Sequence, residues 1–128
     1  MIYGRQGGYA SKSINVNSIP SGYGYTIISN LGNHDCTSLT AGKFTNDEGS
    51  GYTDDLIIGD STALSGPAFN GRVIIIFGQK GGFQGTTLNI ASLTAQTGLI
   101  IEGSNGAFGM TLQLIKTTVG KRKHLFTN

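Results

Sequence analysis

Apolar residues in this chain occur in short runs bounded by glycine, a pattern that predicts β-strands. The clearest run is Arg72–Phe77, in which four β-branched residues and a phenylalanine follow the arginine and Gly78 comes next. Six residues fit a strand better than a helix, and the unbroken run predicts burial on both faces. Leu56–Ile58 and Leu99–Ile101 are similar runs, and a fourth segment, Cys36–Phe44, alternates weakly between apolar and polar positions. We expect four strands here.

The chain repeats itself at an offset of 74 residues, which places Ile2–Tyr9 over Ile76–Phe83 and Gly24–Ile27 over Gly98–Ile101. Aromatic residues match aromatic residues, and β-branched residues or leucine match their like. No segment shows the period of an amphipathic helix, and residues 88–95 predict a short turn at most. Four short strands in each 74-residue unit are typical of a β-propeller blade.

The order of short motifs in the unit resembles that of the FG-GAP repeats, best known from the N-terminal propellers of integrin α-chains. Asp55–Gly59 reads Asp-Leu-Ile-Ile-Gly, and Gly71–Gly78 reads Gly-Arg-Val-Ile-Ile-Ile-Phe-Gly. Phe108-Gly109 stands where the family's Phe-Gly pair would open the next blade. Two positions depart from the pattern: Gly59-Asp60-Ser61 replaces Gly-Ala-Pro, and His34-Asp35 occupies the first Phe-Gly position.

This resemblance implies an all-β fold, an incomplete β-propeller of integrin-α type with four-stranded antiparallel blades. We expect a partial blade over residues 1–34 and a complete FG-GAP-like blade over residues 35–107. The next blade would start at residues 108–114. Residues 115–128 match nothing in the first copy and form a basic tail.

Composition supports a folded chain without disulfides. Of 128 residues, 12% are charged and 38% are apolar, which is unlike a disordered chain, and the single cysteine, Cys36, cannot form an internal disulfide. The net charge of +2 comes from the tail, because residues 1–114 carry five basic and seven acidic side chains. A basic run at a terminus is weak support for nucleic-acid binding, so we expect no nucleic-acid partner.

The loop before Asp55 is the candidate cation site. FG-GAP blades carry Ca²⁺ in a regular Asp-x-Asn-x-Asp-Gly-x-x-Asp loop, whose alternate oxygens converge on the ion. Here the loop is rich in oxygen donors, but their spacing is irregular. The predicted ligands of Ca²⁺ are Asn46, Asp47, Glu48, the Thr53 carbonyl and Asp55. The alternative is a solvated acidic loop rich in turn residues.

No set of residues predicts catalysis. Gly7–Ser13 lacks the glycine that must precede the lysine of a phosphate-binding loop. His34, Asp35 and Cys36 are sequence neighbours, so their side chains point in different directions and do not predict a triad. One cysteine and two distant histidines give no zinc spacing.

The expected function is therefore that of a non-enzymatic repeat module from a surface adhesion or ligand-binding protein. The resemblance implies an extracellular or cell-surface location, although the chain shows no signal peptide and no membrane span. Expected partners are a protein ligand, further blades of the same protein, or a second copy joined through open strand edges. Two alternatives stay open: an accessory propeller segment of a larger enzyme resembling glycosylphosphatidylinositol-specific phospholipase D, and a truncated gene remnant without independent activity.

Overall fold

The computed structural model is built from β-strands. The residues described are 1–2, 6–8, 10, 13–20, 22–29, 36–44, 54–61, 64–65, 68–79, 83, 87–104, 108–109, 112–116 and 123–127. Their strands are β1 Thr26–Ile28, β2 Ser38–Gly42, β3 Asp55–Asp60, β4 Leu64–Ser65, β5 Ala68–Phe69, β6 Arg72–Ile76, β7 Thr87–Asn89, β8 Gly98–Glu102, β9 Leu112–Lys116 and β10 Lys123–Thr127. No helix among these residues is long and apolar enough to cross a membrane.

The central element is a four-stranded antiparallel sheet in the order β2-β3-β6-β8. Its strands are neighbours in space in the same order as along the chain, with β4 and β5 forming a small hairpin between β3 and β6. All four predicted segments are present in it. The all-β class and the four-stranded antiparallel sheet are therefore confirmed. The predicted short turn near residue 90 is also confirmed, as the 3₁₀ turn Ile90–Ser92.

The two inner strands are buried on both faces, as their unbroken apolar runs predict. Every residue of β3 and of β6 is buried. One face of these strands packs beneath Ile90, with Leu56, Ile58, Ile74 and Ile76 in the cluster. The other face carries Ile57, Val73 and Ile75, against which Phe44, Phe77, Ile101 and Phe108 pack. The sheet is thus an inner layer that other segments of the chain cover on either side.

The edge strand β2 exposes its apolar positions. Leu39 is 61% exposed and Ala41 is exposed as well, whereas Ser38, Thr40 and Gly42 are partly buried. The register pairs Leu39 with Ile58 and Ala41 with Leu56, so these apolar side chains share the face of β3 that packs beneath Ile90. At this edge, nothing in the described part of the chain covers that face.

The repeat predicted from the sequence is present in the backbone pairing. Ile2 forms an antiparallel bridge with Gly24, and Ile76 pairs antiparallel with Gly98, which is the same contact 74 residues later. Both glycines are required by close packing, since a Cβ on Gly24 would overlap Met1 O and a Cβ on Gly98 would approach Ile75 O. Met1 and Ile75 are again one repeat apart.

The turns between these paired segments repeat as well. Asn15 Oδ1 accepts the backbone N–H of Asn17 at 2.9 Å, and Asn89 Oδ1 accepts that of Ala91 at 3.0 Å. These side-chain bonds close the same turn in both copies, because a short amide side chain can mimic a backbone turn. The repeat therefore extends from strand pairing to local turn chemistry.

One further contact joins the two copies. β1 from the first copy pairs in parallel with β7 from the second, with Ile27 opposite Leu88. Tyr25, 4% exposed, packs against Phe83 with ring centroids 4.8 Å apart and the rings tilted by 57°. Residues of the first unit thus cover one face of the second unit.

The C-terminal segment forms a separate antiparallel hairpin. β9 and β10 pair from Lys116 opposite Lys123 to Leu112 opposite Thr127. The expected boundary between a next blade at 108–114 and a tail at 115–128 falls inside β9. At this end of the chain the pairing of β9 with β10 defines the strand bounds, although the sequence there no longer matches the first copy.

Candidate functional site

Asp55 is the first residue of β3 and the only predicted Ca²⁺ ligand among the residues that the structure describes. Its side chain is 1% exposed. Asp55 Oδ2 accepts the backbone N–H of Phe44 at 2.7 Å, and Oδ1 accepts that of Gly78 at 2.9 Å. Hydrogen bonds from N–H groups to a buried carboxylate are charge-assisted and stronger than neutral ones. The Asp55 carboxylate therefore fastens the start of the 45–54 loop to the end of β6.

The remaining predicted ligands, Asn46, Asp47, Glu48 and Thr53, lie outside the described residues. The Ca²⁺ site stays a prediction for this reason. Within the described ranges no three His, Cys, Asp or Glu side chains come together.

A buried ion pair lies at the opposite end of the same two strands. Asp60 and Arg72 are register partners on β3 and β6, and Arg72 Nε lies 3.3 Å from Asp60 Oδ2. Asp60 is 2% exposed and Arg72 is 5% exposed. Removing either side chain would take an oppositely charged neighbour away from a buried charge, which is more costly than losing a surface pair. A slip of one residue between the strands would do the same, so this pair favours one register.

The sequence offered a weak signal for this pair. Asp60 occupies the position of alanine in the family's Gly-Ala-Pro motif, and Arg72 belongs to the Gly-Arg-Val motif. A charge gained at a position that is apolar in the motif requires a partner if the position is buried. The partner could not be chosen without the register, because the two residues come from different motifs.

The segment before β9 is held against the same end of the sheet. Phe108 forms a parallel bridge with Gly71, and Ser38 Oγ donates to Gly109 O at 2.8 Å. A Cβ on Gly59 would overlap Gly109 O, and one on Gly71 would overlap Phe108 O. Gly71 also has φ +69°, a left-handed conformation that favours glycine. Glycine at these positions lets the chain cross closely over the ends of β3 and β6.

Apolar side chains at the two ends of the repeat are exposed where their counterparts are buried. Leu99 is 46% exposed, whereas Tyr25, one repeat earlier, is 4% exposed. Val16 is 67% exposed, whereas Ile90, one repeat later, is 5% exposed. Tyr25 is covered by the second unit, and Ile90 packs on β3 and β6. The contrast locates two surfaces: one that the next unit covers at Tyr25, and one that the sheet of the same unit covers at Ile90.

Of the other candidate residues, only some are among those that the structure describes. His34 and Asp35 lie outside the described residues, and Cys36 is exposed, with Sγ donating to Ser38 O at 3.8 Å. In the basic tail, Lys116 and Lys123 face each other as register partners across the β9–β10 hairpin.

Comparison of the chain with protein-family models, with curated proteins and with solved structures found no match. Support for a function therefore comes from the chain's own residues and backbone geometry.

Proposed function

We propose that this chain is a non-enzymatic repeat module of the FG-GAP, integrin-α-like propeller type that works in adhesion or ligand binding at a cell surface. The observation that carries the proposal is the recurrence of backbone contacts at an offset of 74 residues, seen at Ile2–Gly24 and Ile76–Gly98. These contacts recur together with the motif order that resembles the family.

Burial in the central sheet supports a role inside an array. Ile27 of β1, in the first unit, packs against one face of the sheet, and β9 lies close to β2 and β3. In repeat proteins much of the stability comes from such interfaces between neighbours. The expected partners are accordingly further units of the same type and a protein ligand bound by the loops at the sheet ends.

We also propose that the 45–55 loop binds Ca²⁺ through Asn46, Asp47, Glu48, the Thr53 carbonyl and Asp55. Asp55 supports this assignment because it is the last residue of the loop and its carboxylate accepts a hydrogen bond from Gly78 in the neighbouring segment. A cation held there would rigidify a loop at the edge of the sheet. Oxygen ligands are the type that Ca²⁺ prefers.

The array role is tested by duplicating one repeat. A variant with a second copy of residues 35–108 inserted after Phe108 adds one complete unit and one interface of the kind that joins β1 to β7. We expect one cooperative thermal transition at a higher Tm than that of the parent chain, because nearest-neighbour interfaces add stability. A matched control inserts the same 74 residues in scrambled order. An unchanged Tm, or a second independent transition, would overturn the proposal.

The Ca²⁺ role is tested by thermal unfolding in EGTA and in millimolar Ca²⁺. We expect Ca²⁺ to raise the Tm of the parent chain, since a ligand that binds only the folded state stabilises it. In Asp47→Asn the Tm in EGTA should stay near that of the parent, and the increase with Ca²⁺ should be lost. Absence of any increase in the parent chain would contradict the assignment, and Mg²⁺ at the same concentration serves as the ion control.

A further inference from the structure

We propose that two copies of this chain associate head to tail, with the β9–β10 hairpin of one copy and residues 1–2 and 24–28 of the second copy forming one four-stranded sheet. The inference deepens the proposed repeat function and depends on the same 74-residue equivalence. It goes further by naming the surface, the strand order and the register.

The hairpin at the C-terminal end is equivalent to the first half of the central sheet. β2 covers Ser38–Gly42 and β9 covers Leu112–Lys116, which are the same positions one repeat apart. β2 pairs antiparallel with β3, as β9 pairs with β10. β10 thus occupies the position equivalent to that of β3, and fewer residues separate it from β9 than separate β3 from β2.

Residues at the N-terminal end are equivalent to the second half of that sheet. Met1 N donates to Tyr25 O at 2.9 Å, and Tyr25 N donates to Met1 O at 3.0 Å. Together with the Ile2–Gly24 bridge, these bonds reproduce the pairing of β6 with β8. The β9–β10 hairpin and the pairing of residues 1–2 with 24–25 therefore reproduce the two complementary halves of one sheet.

A second contact follows from the parallel pair of β1 and β7. Thr26 lies opposite Thr87 and Ile28 opposite Asn89. β8 contains the residues one repeat after β1, and residues 13–15 lie one repeat before β7. The equivalent contact between two copies therefore pairs β8 of the first copy with residues 13–15 of the second copy. In this register Glu102 lies opposite Asn15.

A single placement of the second copy makes both contacts. In that copy residues 13–15 lie between residues 1–2 and residues 24–28, just as β7 lies between β6 and β8 in the central unit. The placement brings a neighbour over Leu99 of the first copy, as Phe83 covers Tyr25 within one chain. On the second copy it covers Val16, which takes the position of the buried Ile90.

Leu39 is covered in the same way. β9 lies close to β2 on one side of the central sheet, so the equivalent hairpin of a preceding copy lies on the other side, where Leu39 is 61% exposed. The contact joins two different surfaces, so association of this kind continues as a chain of copies or closes as a ring.

Disulfide cross-linking tests the register. Asn15→Cys and Glu102→Cys are made separately in a Cys36→Ser background, with tags of different mass, and are mixed under mild oxidation. Asn15 and Glu102 are both exposed, so neither change removes a core contact, and Asn15→Cys loses only the turn hydrogen bond that Asn15 Oδ1 accepts from Asn17 N–H. Register partners lie within the span that a disulfide can bridge. We expect the mixed 15–102 product to dominate, and light scattering to show a mass that rises with protein concentration.

The controls separate this inference from the repeat function. Asn17→Cys replaces Asn15→Cys as an exposed, out-of-register partner and should give little mixed product. Leu99→Lys should abolish both the cross-link and the concentration dependence without changing the Tm of the dilute chain, whereas Gln96→Lys at an exposed turn should change neither. Predominance of 102–102 product, equal reactivity of all pairs, or a constant monomer mass would overturn head-to-tail association. If the duplicated-repeat variant is still stabilised, the repeat function stands without it.

Discussion

Replacement of Asp55 by asparagine tests whether its carboxylate holds the loop and the sheet together. The change keeps the size of the side chain, but it turns one of two acceptor oxygens into a donor. In Asp55→Asn one backbone N–H, that of Phe44 or that of Gly78, faces an amide N–H₂ group instead of an oxygen. The change also removes the negative charge from the remaining hydrogen bond.

The cost follows from the two hydrogen bonds of 2.7 and 2.9 Å that Asp55 accepts. A hydrogen bond to a charged group contributes about 1.5–3 kcal/mol, and a buried N–H left without a partner costs about 1–3 kcal/mol. Loss of one bond and weakening of the other should lower the free energy of unfolding by about 3 kcal/mol. With an unfolding entropy of about 2.1 cal/mol/K per residue, a 128-residue chain should lose about 11 °C in Tm.

The assay is thermal unfolding followed by circular dichroism in EGTA, so that no cation contributes. Asp54→Asn is the matched control, because Asp54 is the preceding residue and is exposed. Its Tm should change by about 2 °C at most, as expected for a surface substitution. If Asp55→Asn melts as the control does, the Asp55 carboxylate does not fasten the loop to the sheet.

Two further predictions concern the core of the central sheet. Ile57→Ala should lower the free energy of unfolding by about 2–5 kcal/mol, since Ile57 is 0% exposed, whereas Ile28→Ala, at a side chain 39% exposed, should cost clearly less in the same denaturant titration. Asp60→Leu should cost about 3–5 kcal/mol by leaving Arg72 without its carboxylate, and adding Arg72→Met should restore most of that stability. Additive costs in this double-mutant cycle would show that the two side chains do not interact.

The inner strands could be predicted because their signal is local. Five consecutive β-branched or aromatic residues after Arg72 need no information from elsewhere in the chain to favour a buried strand. The same holds for the turn at Ile90–Ser92, which begins with the Asn89 side chain closing onto the Ala91 N–H. Both elements are fixed by residues within a few positions of each other.

The features that escaped prediction depend on pairing between distant segments. The sequence predicts the start of a blade and a basic tail where the structure has β9 and β10. The two segments do not match the first copy, and only their mutual register makes them a hairpin. The Asp60–Arg72 ion pair likewise requires the β3–β6 register. In the candidate site, the motif predicts Asp55 as a ligand. Its role as an acceptor for Phe44 and Gly78 could not be predicted, because it depends on the end of β2, the start of β3 and the end of β6 lying side by side.

A nuclear Overhauser measurement between Hα protons tests whether Ile2–Gly24 is the equivalent of Ile76–Gly98. Met1 and Tyr25 exchange both of their backbone hydrogen bonds, so the adjacent Ile2–Gly24 is a non-hydrogen-bonded pair, in which opposed residues lie closest. In a uniformly labelled sample of the full chain, Ile2–Gly24 and its equivalent Ile76–Gly98 should both give strong cross-strand Hα–Hα contacts. The two pairs should also lose these contacts together on thermal unfolding, because β1 and β7 join the units. A strong contact for Ile76–Gly98 with none for Ile2–Gly24 would show one sheet without a repeat and would contradict the account.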